Sequence, residues 1–324
     1  MTSLTASGSA RAQFVARVAA NNSLCREHFQ LMLRVDRGFP RTEPGQFIQI
    51  ACRDDLAMPE TACEWREDPS GRFVRGDCQE DVDLQHPTAV LRRPFSLAGR
   101  TDLDDGTTEI EIIHRVVGMG TEWMANLAEG DSVNILGPLG NRFTVPREDQ
   151  IALLVGGGVG IPPMLYLASA LAARRLAGIA FFGALSRDLL PVALSREAAE
   201  APSLCVDRLA TLSFPAVIST DDGSCGFRGF VTQLLERFLD RNIDQSFIIY
   251  TCGPEPMMKR IAEIGRERNI PVQVAVERAM ACGMGTCQSC CIRAKVPIDV
   301  DPAGWRYKLA CTDGPIFAGD ALLW

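Results

Sequence analysis

Apolar residues recur at every second position in short runs across the first 145 residues, separated by turn formers. Residues 14–18, 29–35, 47–51 and 109–116 show it most clearly. Strand side chains alternate between two faces, so this period predicts half-buried strands, and strands so spaced predict an antiparallel barrel or sandwich. Residues 52–88 break the rhythm with a polar stretch rich in Asp, Glu and Arg that carries Cys52, Cys63 and Cys78. It reads as a long surface excursion. Its cysteines are irregularly spaced and only His86 is near them, so free thiols are expected there rather than a metal site.

Beyond Pro146 the pattern changes. Continuous apolar runs at 151–155, 179–182, 216–219 and 247–251 alternate with helix-like stretches at 162–175, 231–241 and 256–268. That alternation predicts βαβ units on a parallel, doubly wound sheet. Residues 275–324 are cysteine-rich and weakly periodic, as expected of a small domain ordered by a metal cluster. The expected division is 1–147 (with the insertion at about 52–88), 148–274 and 275–324. The uncharged run 151–173 is long enough to span a bilayer. Gly156, Gly157, Gly158, Gly160, Pro162 and Pro163 break it into strand, turn and helix instead. Residues 1–13 are rich in Ser, Thr and Ala and lack a hydrophobic signal core, so a cytoplasmic protein off the membrane is expected.

A net charge of −7 gives no basic footprint for nucleic acid. Twelve cysteines in 324 residues do not read as a small disulfide scaffold. Four of them carry the chemistry. Cys282, Cys287 and Cys290 form C-x4-C-x2-C, and Cys311 follows after twenty residues. This is the spacing of a plant-type 2Fe–2S cluster held by four thiolates. Gly283 and Gly285 suit the tight wrap around it. Structural zinc also takes four thiolates, but usually from two C-x2-C knuckles, and only one such pair is present here. Cys291 adjoins Cys290; the spacing favours Cys290 as the ligand.

Two nucleotide sites are expected. The run 151–155 leads into Gly156-Gly157-Gly158-Val159-Gly160-Ile161-Pro162-Pro163 and then a helix, where backbone amides can approach a pyrophosphate. Counted from Gly158, Pro163 stands where G-x-G-x-x-G has its third glycine. Thr251-Cys252-Gly253-Pro254 follows another strand, at the carboxyl end where doubly wound sheets bind ligands. In the first domain, Arg93-Pro94-Phe95-Ser96 offers a cation that can fork onto a phosphate, an aromatic face and a hydroxyl. Gly118-Met119-Gly120-Thr121 opens a short helix, with Thr121 as its expected N-cap.

In order and spacing these segments resemble the ferredoxin–NADP reductase superfamily and, within it, the electron-transfer subunits of class 1B dihydroorotate dehydrogenase. The resemblance covers residues 13–51 and 89–324. It also takes in Pro44-Gly45-Gln46-Phe47, Gly137 to Asn141, Thr220 to Ser224, Glu277 to Gly283 and Cys311 to Pro315. It implies an FAD barrel, an NAD-binding domain and a terminal 2Fe–2S domain. By similarity Arg93, Pro94, Phe95 and Ser96 line the FAD, with Ser96 near its reactive edge. Ile113, His114, Arg115, Gly120 and Thr121 match positions that hold its diphosphate and adenosine parts. Cys252, with Gly253 and Pro254, approaches the nicotinamide, and Cys282, Cys287, Cys290 and Cys311 match the cluster ligands. Ser96 and Cys252 are thus the expected catalytic positions. The implied partner is an FMN-containing catalytic subunit in a two-plus-two assembly, feeding electrons through the cluster and FAD to NAD+. Three features depart from the family pattern: the long excursion, Cys225 where tyrosine is often found, and His114 where an aromatic residue is common.

Rival readings are a small subunit of a sulfide dehydrogenase or bifurcating transhydrogenase, and a non-enzymatic redox sensor. A sensor needs no nicotinamide site, so the glycine loop and residues 252–257 speak against it. Arg187 and Asp188, after the second run of the nucleotide domain, present a cation that can read an NADP phosphate and a carboxylate that favours NAD. The resemblance favours NAD.

Overall fold

The computed structural model describes residues 12–53, 65–67, 69–70, 73–75, 91–198 and 200–324. Cys63, Cys78 and His86 lie outside them, so the reading of those cysteines as free thiols meets no structural observation.

The alternating runs become strands β1 (Ala12–Cys25), β2 (His28–Val35), β3 (Phe47–Ile50), β6 (Arg93–Ser96), β7 (Gly99–Asp102), β8 (Thr108–Arg115) and β9 (Ser132–Leu139). They form an antiparallel sheet in the order β6-β3-β9-β1-β2-β8-β7. Its two edge strands are consecutive in the chain. At the bend between them Leu97 N–H donates to Gln46 O at 3.3 Å and Ala98 N–H to Glu111 O at 2.8 Å. The sheet therefore curls back on itself through one bent strand around Leu31, Leu33, Ile48, Ile110, Ile112 and Ile135, none of which reaches solvent. Between β3 and β6, strands β4 (Trp65–Glu67) and β5 (Phe73–Arg75) pair only with each other.

Helix α1 (Met119–Ala125) crosses from β8 to β9. Its N-cap is Gly118, not Thr121 as expected. Thr121 sits one turn in, where its hydroxyl donates to Gly118 O at 2.9 Å and accepts from the N–H groups of Val117 (2.9 Å) and Gly118 (3.2 Å).

The nucleotide half is built from β10 (Ile151–Gly157), α2 (Ile161–Ala173), β11 (Gly178–Ala184), α3 (Asp207–Thr211), β12 (Ala216–Thr220), β13 (Phe227–Arg228), α4 (Val231–Asp240), β14 (Phe247–Cys252), α5 (Glu255–Arg268) and β15 (Val272–Ala275). The sheet order β13-β12-β11-β10-β14-β15 is parallel throughout, with the chain reversing direction of travel between β10 and β14. Run 151–173 is thus strand, turn and a 13-residue helix. Among the described residues no helix is long and apolar enough to cross a membrane.

The last segment holds a hairpin, β16 (Cys291–Lys295) and β17 (Trp305–Leu309), and then β18 (Ile316–Ala318), which adds to β15 as an antiparallel edge strand. Asn141, after β9, binds this return: its Nδ2 donates to Asp313 O at 3.0 Å and Ile316 O at 2.9 Å, and its Oδ1 accepts from Ile316 N–H at 2.8 Å. The segments 137–141 and 311–315 are therefore two sides of one seam. A shared core of Phe47, Leu139, Met280, Cys290, Ile292 and Cys311 runs through it.

Candidate functional site: a cleft walled by the cysteine loop

A cleft of about 910 Å³ opens where barrel, parallel sheet and cysteine segment meet. From the barrel come Arg93, Pro94, Phe95 and Ser96 on β6, Ile113, His114 and Arg115 on β8, and Gly118 to Thr121 at the start of α1. The sheet contributes Gly160, Cys252 and Gly253, and residues 275–281 close the third side. Gly156, Gly157, Gly158, Pro163 and Pro254 do not line it. They shape the strand ends behind Gly160. A Cβ on Gly160 would lie 2.1 Å from Cys252 O and 2.5 Å from Gly253 N, so only glycine lets the two loops pack.

The barrel wall is cationic and aromatic. Arg93 anchors its guanidinium on Leu91 O at 2.9 Å, and Arg115 pairs with Glu27 at 2.7 Å. His114 stacks on Phe29 (centroids 5.9 Å apart, planes 17° apart) and meets Phe95 edge-on at 6.2 Å. Both its ring nitrogens are buried without a partner among the described residues. Burial, with a smaller push from His28, takes its pKa down to about 4, so it is neutral at pH 7. His114 is also among the residues that line the cleft. The volume and the few convergent polar groups suit a nucleotide cofactor. At the sheet end, burial and then the charge of Glu277 push the Cys252 thiol up to about 12. It stays protonated, uncharged and unreactive as a nucleophile.

The four cysteines converge in two pairs. On the outer side, the N–H groups of Met284 and Cys287 each donate to Cys282 Sγ at 3.4 Å. Cys287 is exposed, and its thiol is drawn down to about 6, first by Ser289 and then by Cys282. On the inner side, Cys290 and Cys311 are buried. Burial and the neighbouring Cys290 raise the Cys311 thiol to about 11, opposed by the N–H of Gly285. Among the described residues no three His, Cys, Asp or Glu side chains are grouped as a metal site. A binuclear cluster divides four thiolates between two irons, and backbone donors to sulfur are its usual surroundings. The residues fit it. Cys291 begins β16 with its side chain exposed.

Sequence reasoning missed Ser289. Its hydroxyl lies 3.2 Å from Cys287 Sγ, accepts from Ala281 N–H at 3.3 Å and lines the cleft. Its place inside C-x2-C was the only signal. Of the pair flanking the coenzyme question, Asp188 is held by Arg26 at 3.0 Å, and Arg187 lies 3.8 Å from Cys225 Sγ.

The family model for the iron-sulfur cluster binding domain of dihydroorotate dehydrogenase B matches residues 277–323, and that for the oxidoreductase NAD-binding domain matches residues 154–263. The dihydroorotate dehydrogenase B (NAD(+)) electron transfer subunit of Caldanaerobacter subterraneus subsp. tengcongensis is 33% identical over 82% of this chain and 92% of its own length. The chain belongs to the family of dihydroorotate dehydrogenase B electron-transfer subunits. The family member from Desulforamulus reducens is 33% identical over 78% of this chain and 86% of its own. Among solved structures, an NADH-dependent reduced ferredoxin-NADP oxidoreductase described for flavin-based electron bifurcation aligns over 95% of this chain and 90% of its own. Its TM-score is 0.66 at 25% identity. The ferredoxin reductase of carbazole 1,9a-dioxygenase shares the fold, with a TM-score of 0.56 at 20% identity over 82% of this chain and 69% of its own. The cofactor set of 2Fe–2S cluster, FAD and NAD stands, and the chain is an NAD-linked oxidoreductase subunit.

Proposed function

We propose that this chain takes electrons from an FMN-containing dihydroorotate dehydrogenase catalytic subunit, in a two-plus-two assembly, and passes them to NAD+. One observation carries the reading: Ser289 touches the ligand-type Cys287 and lines the flavin-type cleft, so a single side chain separates the two redox sites. Cys282, Cys287, Cys290 and Cys311 would hold the cluster. Arg93, Pro94, Phe95, Ser96, Ile113, His114, Arg115, Gly120 and Thr121 would hold FAD. Gly160, Cys252 and Gly253 would receive the nicotinamide, on the loop shaped by Gly156, Gly157, Gly158, Pro163 and Pro254. FAD exchanges one or two electrons and so joins one-electron cluster chemistry to two-electron nicotinamide chemistry.

The chain's own residues supply position and field. Arg93 offers a fork to phosphate, while His114 stays neutral at physiological pH. Cys252 presents an uncharged surface at the strand end. Two ion pairs fix the nucleotide half on the barrel: Arg208 to Glu111 at 2.6 Å, with Arg208 also donating to Ala98 O at 2.9 Å, and Arg26 to Asp188. Both join the barrel to the nucleotide half through residues outside the lining of the cleft. The division at residues 147 and 274, with the excursion at 52–88, belongs to this proposal, as does a cytoplasmic location.

The likeness to the bifurcating oxidoreductase favours one second reading, a subunit that links NAD(H) to a ferredoxin. Co-expression with an FMN-binding dihydroorotate dehydrogenase barrel separates the two. The expected result is a stable complex that reduces NAD+ with dihydroorotate, an activity neither chain shows alone. A chain that binds no such barrel, yet moves electrons between NADH and ferredoxin, would replace the proposal by the second reading.

A further inference from the structure

Gln49 lies in the middle of β3 and has no solvent exposure. Its Oε1 and Nε2 are both buried without a hydrogen-bond partner among the described residues. Its neighbours in the sheet offer nothing: Pro94 on β6 has no N–H, and Leu136 on β9 is apolar. A buried amide with neither end satisfied is rare in a folded protein and marks a missing partner.

The place it occupies identifies that partner. Gly283, between Cys282 and Met284, has φ +69, and a Cβ there would lie 2.8 Å from Gln49 Oε1 and 3.1 Å from Nε2. The amide therefore rests directly on the backbone of the cysteine loop, one residue from Cys282. Cys282 Sγ already accepts the N–H groups of Met284 and Cys287. Phe47, two residues back on the same face of β3, lines the cleft.

We propose that Gln49 is a positioning residue for the cluster. Its Nε2–H donates to cluster sulfur on the Cys282 side, seats the loop 282–287 on the barrel and raises the reduction potential of the cluster. The inference rests on the iron–sulfur reading of the four cysteines. Reduction adds negative charge to the sulfurs, so a donor stabilises the reduced form more than the oxidised one. Gly283 is glycine because a side chain would occupy the space the amide needs.

The test compares two near-isosteric variants of the full chain, Gln49→Met and Gln49→Glu, purified anaerobically, by redox titration followed by EPR of the reduced cluster and by flavin absorbance. The expected result is that both retain iron, sulfide and FAD. The cluster potential falls in Gln49→Met and falls further in Gln49→Glu, with altered EPR g-values, while the flavin potential stays in place. An unchanged cluster potential and EPR spectrum in loaded Gln49→Met would overturn the inference. So would a shift in flavin potential or content with the cluster unmoved, which would assign the amide to the flavin. A wild-type chain without a cluster would overturn this inference together with the ligand reading beneath it.

Discussion

Replacing Cys290 with Ala is expected to abolish the cluster, whereas replacing its neighbour Cys291 leaves it. The two thiols are adjacent in sequence and opposite in surroundings. Cys290 is 2% exposed, packed in the core that also holds Cys311 and Met280, with its sulfur beside that of Cys311. Cys291 opens β16, pairs with Leu309 across the hairpin and turns its side chain to solvent. A strand reverses its side chain at each residue, so Cys291 cannot take its neighbour's place without shifting β16 against β17. Iron and labile sulfide, measured on anaerobically purified protein, should fall to near zero in Cys290→Ala and match wild type in Cys291→Ala. The reverse outcome would move the ligand assignment by one residue.

Gly160→Ala should disable nicotinamide chemistry while sparing the other cofactors. The added methyl would meet the Cys252 carbonyl and the Gly253 nitrogen, both backbone atoms, so no rotamer change relieves it. The turn after β10 and the end of β14 must then part, and through Gly160, Cys252 and Gly253 they form the sheet's wall of the cleft. Overpacking of this kind costs about 1–3 kcal/mol. Felt in the bound state, that corresponds to roughly a ten- to hundredfold loss in NADH-dependent flavin reduction. FAD and iron contents should be unchanged, because the residues that would hold them lie on the barrel and the cysteine loop and not on the two loops the methyl forces apart. Stopped-flow reduction by NADH checks it. Wild-type kinetics would show that the two strand ends tolerate separation and do not shape the nicotinamide site.

The sequence made the local features legible. The cysteine pattern is read from spacing alone, and the structure sets Cys282 beside Cys287 and Cys290 beside Cys311. The parallel strands β10, β11, β12 and β14 were legible because each is a continuous apolar run buried on both faces, whereas the short β13 and β15 were not read from the sequence. Features that depend on distant pairing were hidden. β18 is three residues long, and only its bonds to β15, some forty residues earlier, make it part of the nucleotide sheet. Thr121 reads as a cap by residue type, yet Gly118 takes that place and Thr121 folds back on it. Gln49 carries no signal in the sequence, and only the distant cysteine loop, at Gly283, shows what its amide meets. Asn141 and Ser289 belong to motifs whose resemblance was visible but whose work was not. One ties the barrel to the returning strand, and the other stands between Cys287 and the cleft.

The central claim is that one chain carries an iron–sulfur centre and a flavin on a single electron path to a nicotinamide. An anaerobic titration of the purified full chain with NADH tests it most directly, following flavin absorbance and low-temperature EPR in the same samples. The account predicts that NADH bleaches the bound flavin and that the EPR signal of a reduced 2Fe–2S cluster grows in as it does. Protein that carries zinc in place of iron, or a flavin that NADH reduces while the cluster stays silent, would contradict it.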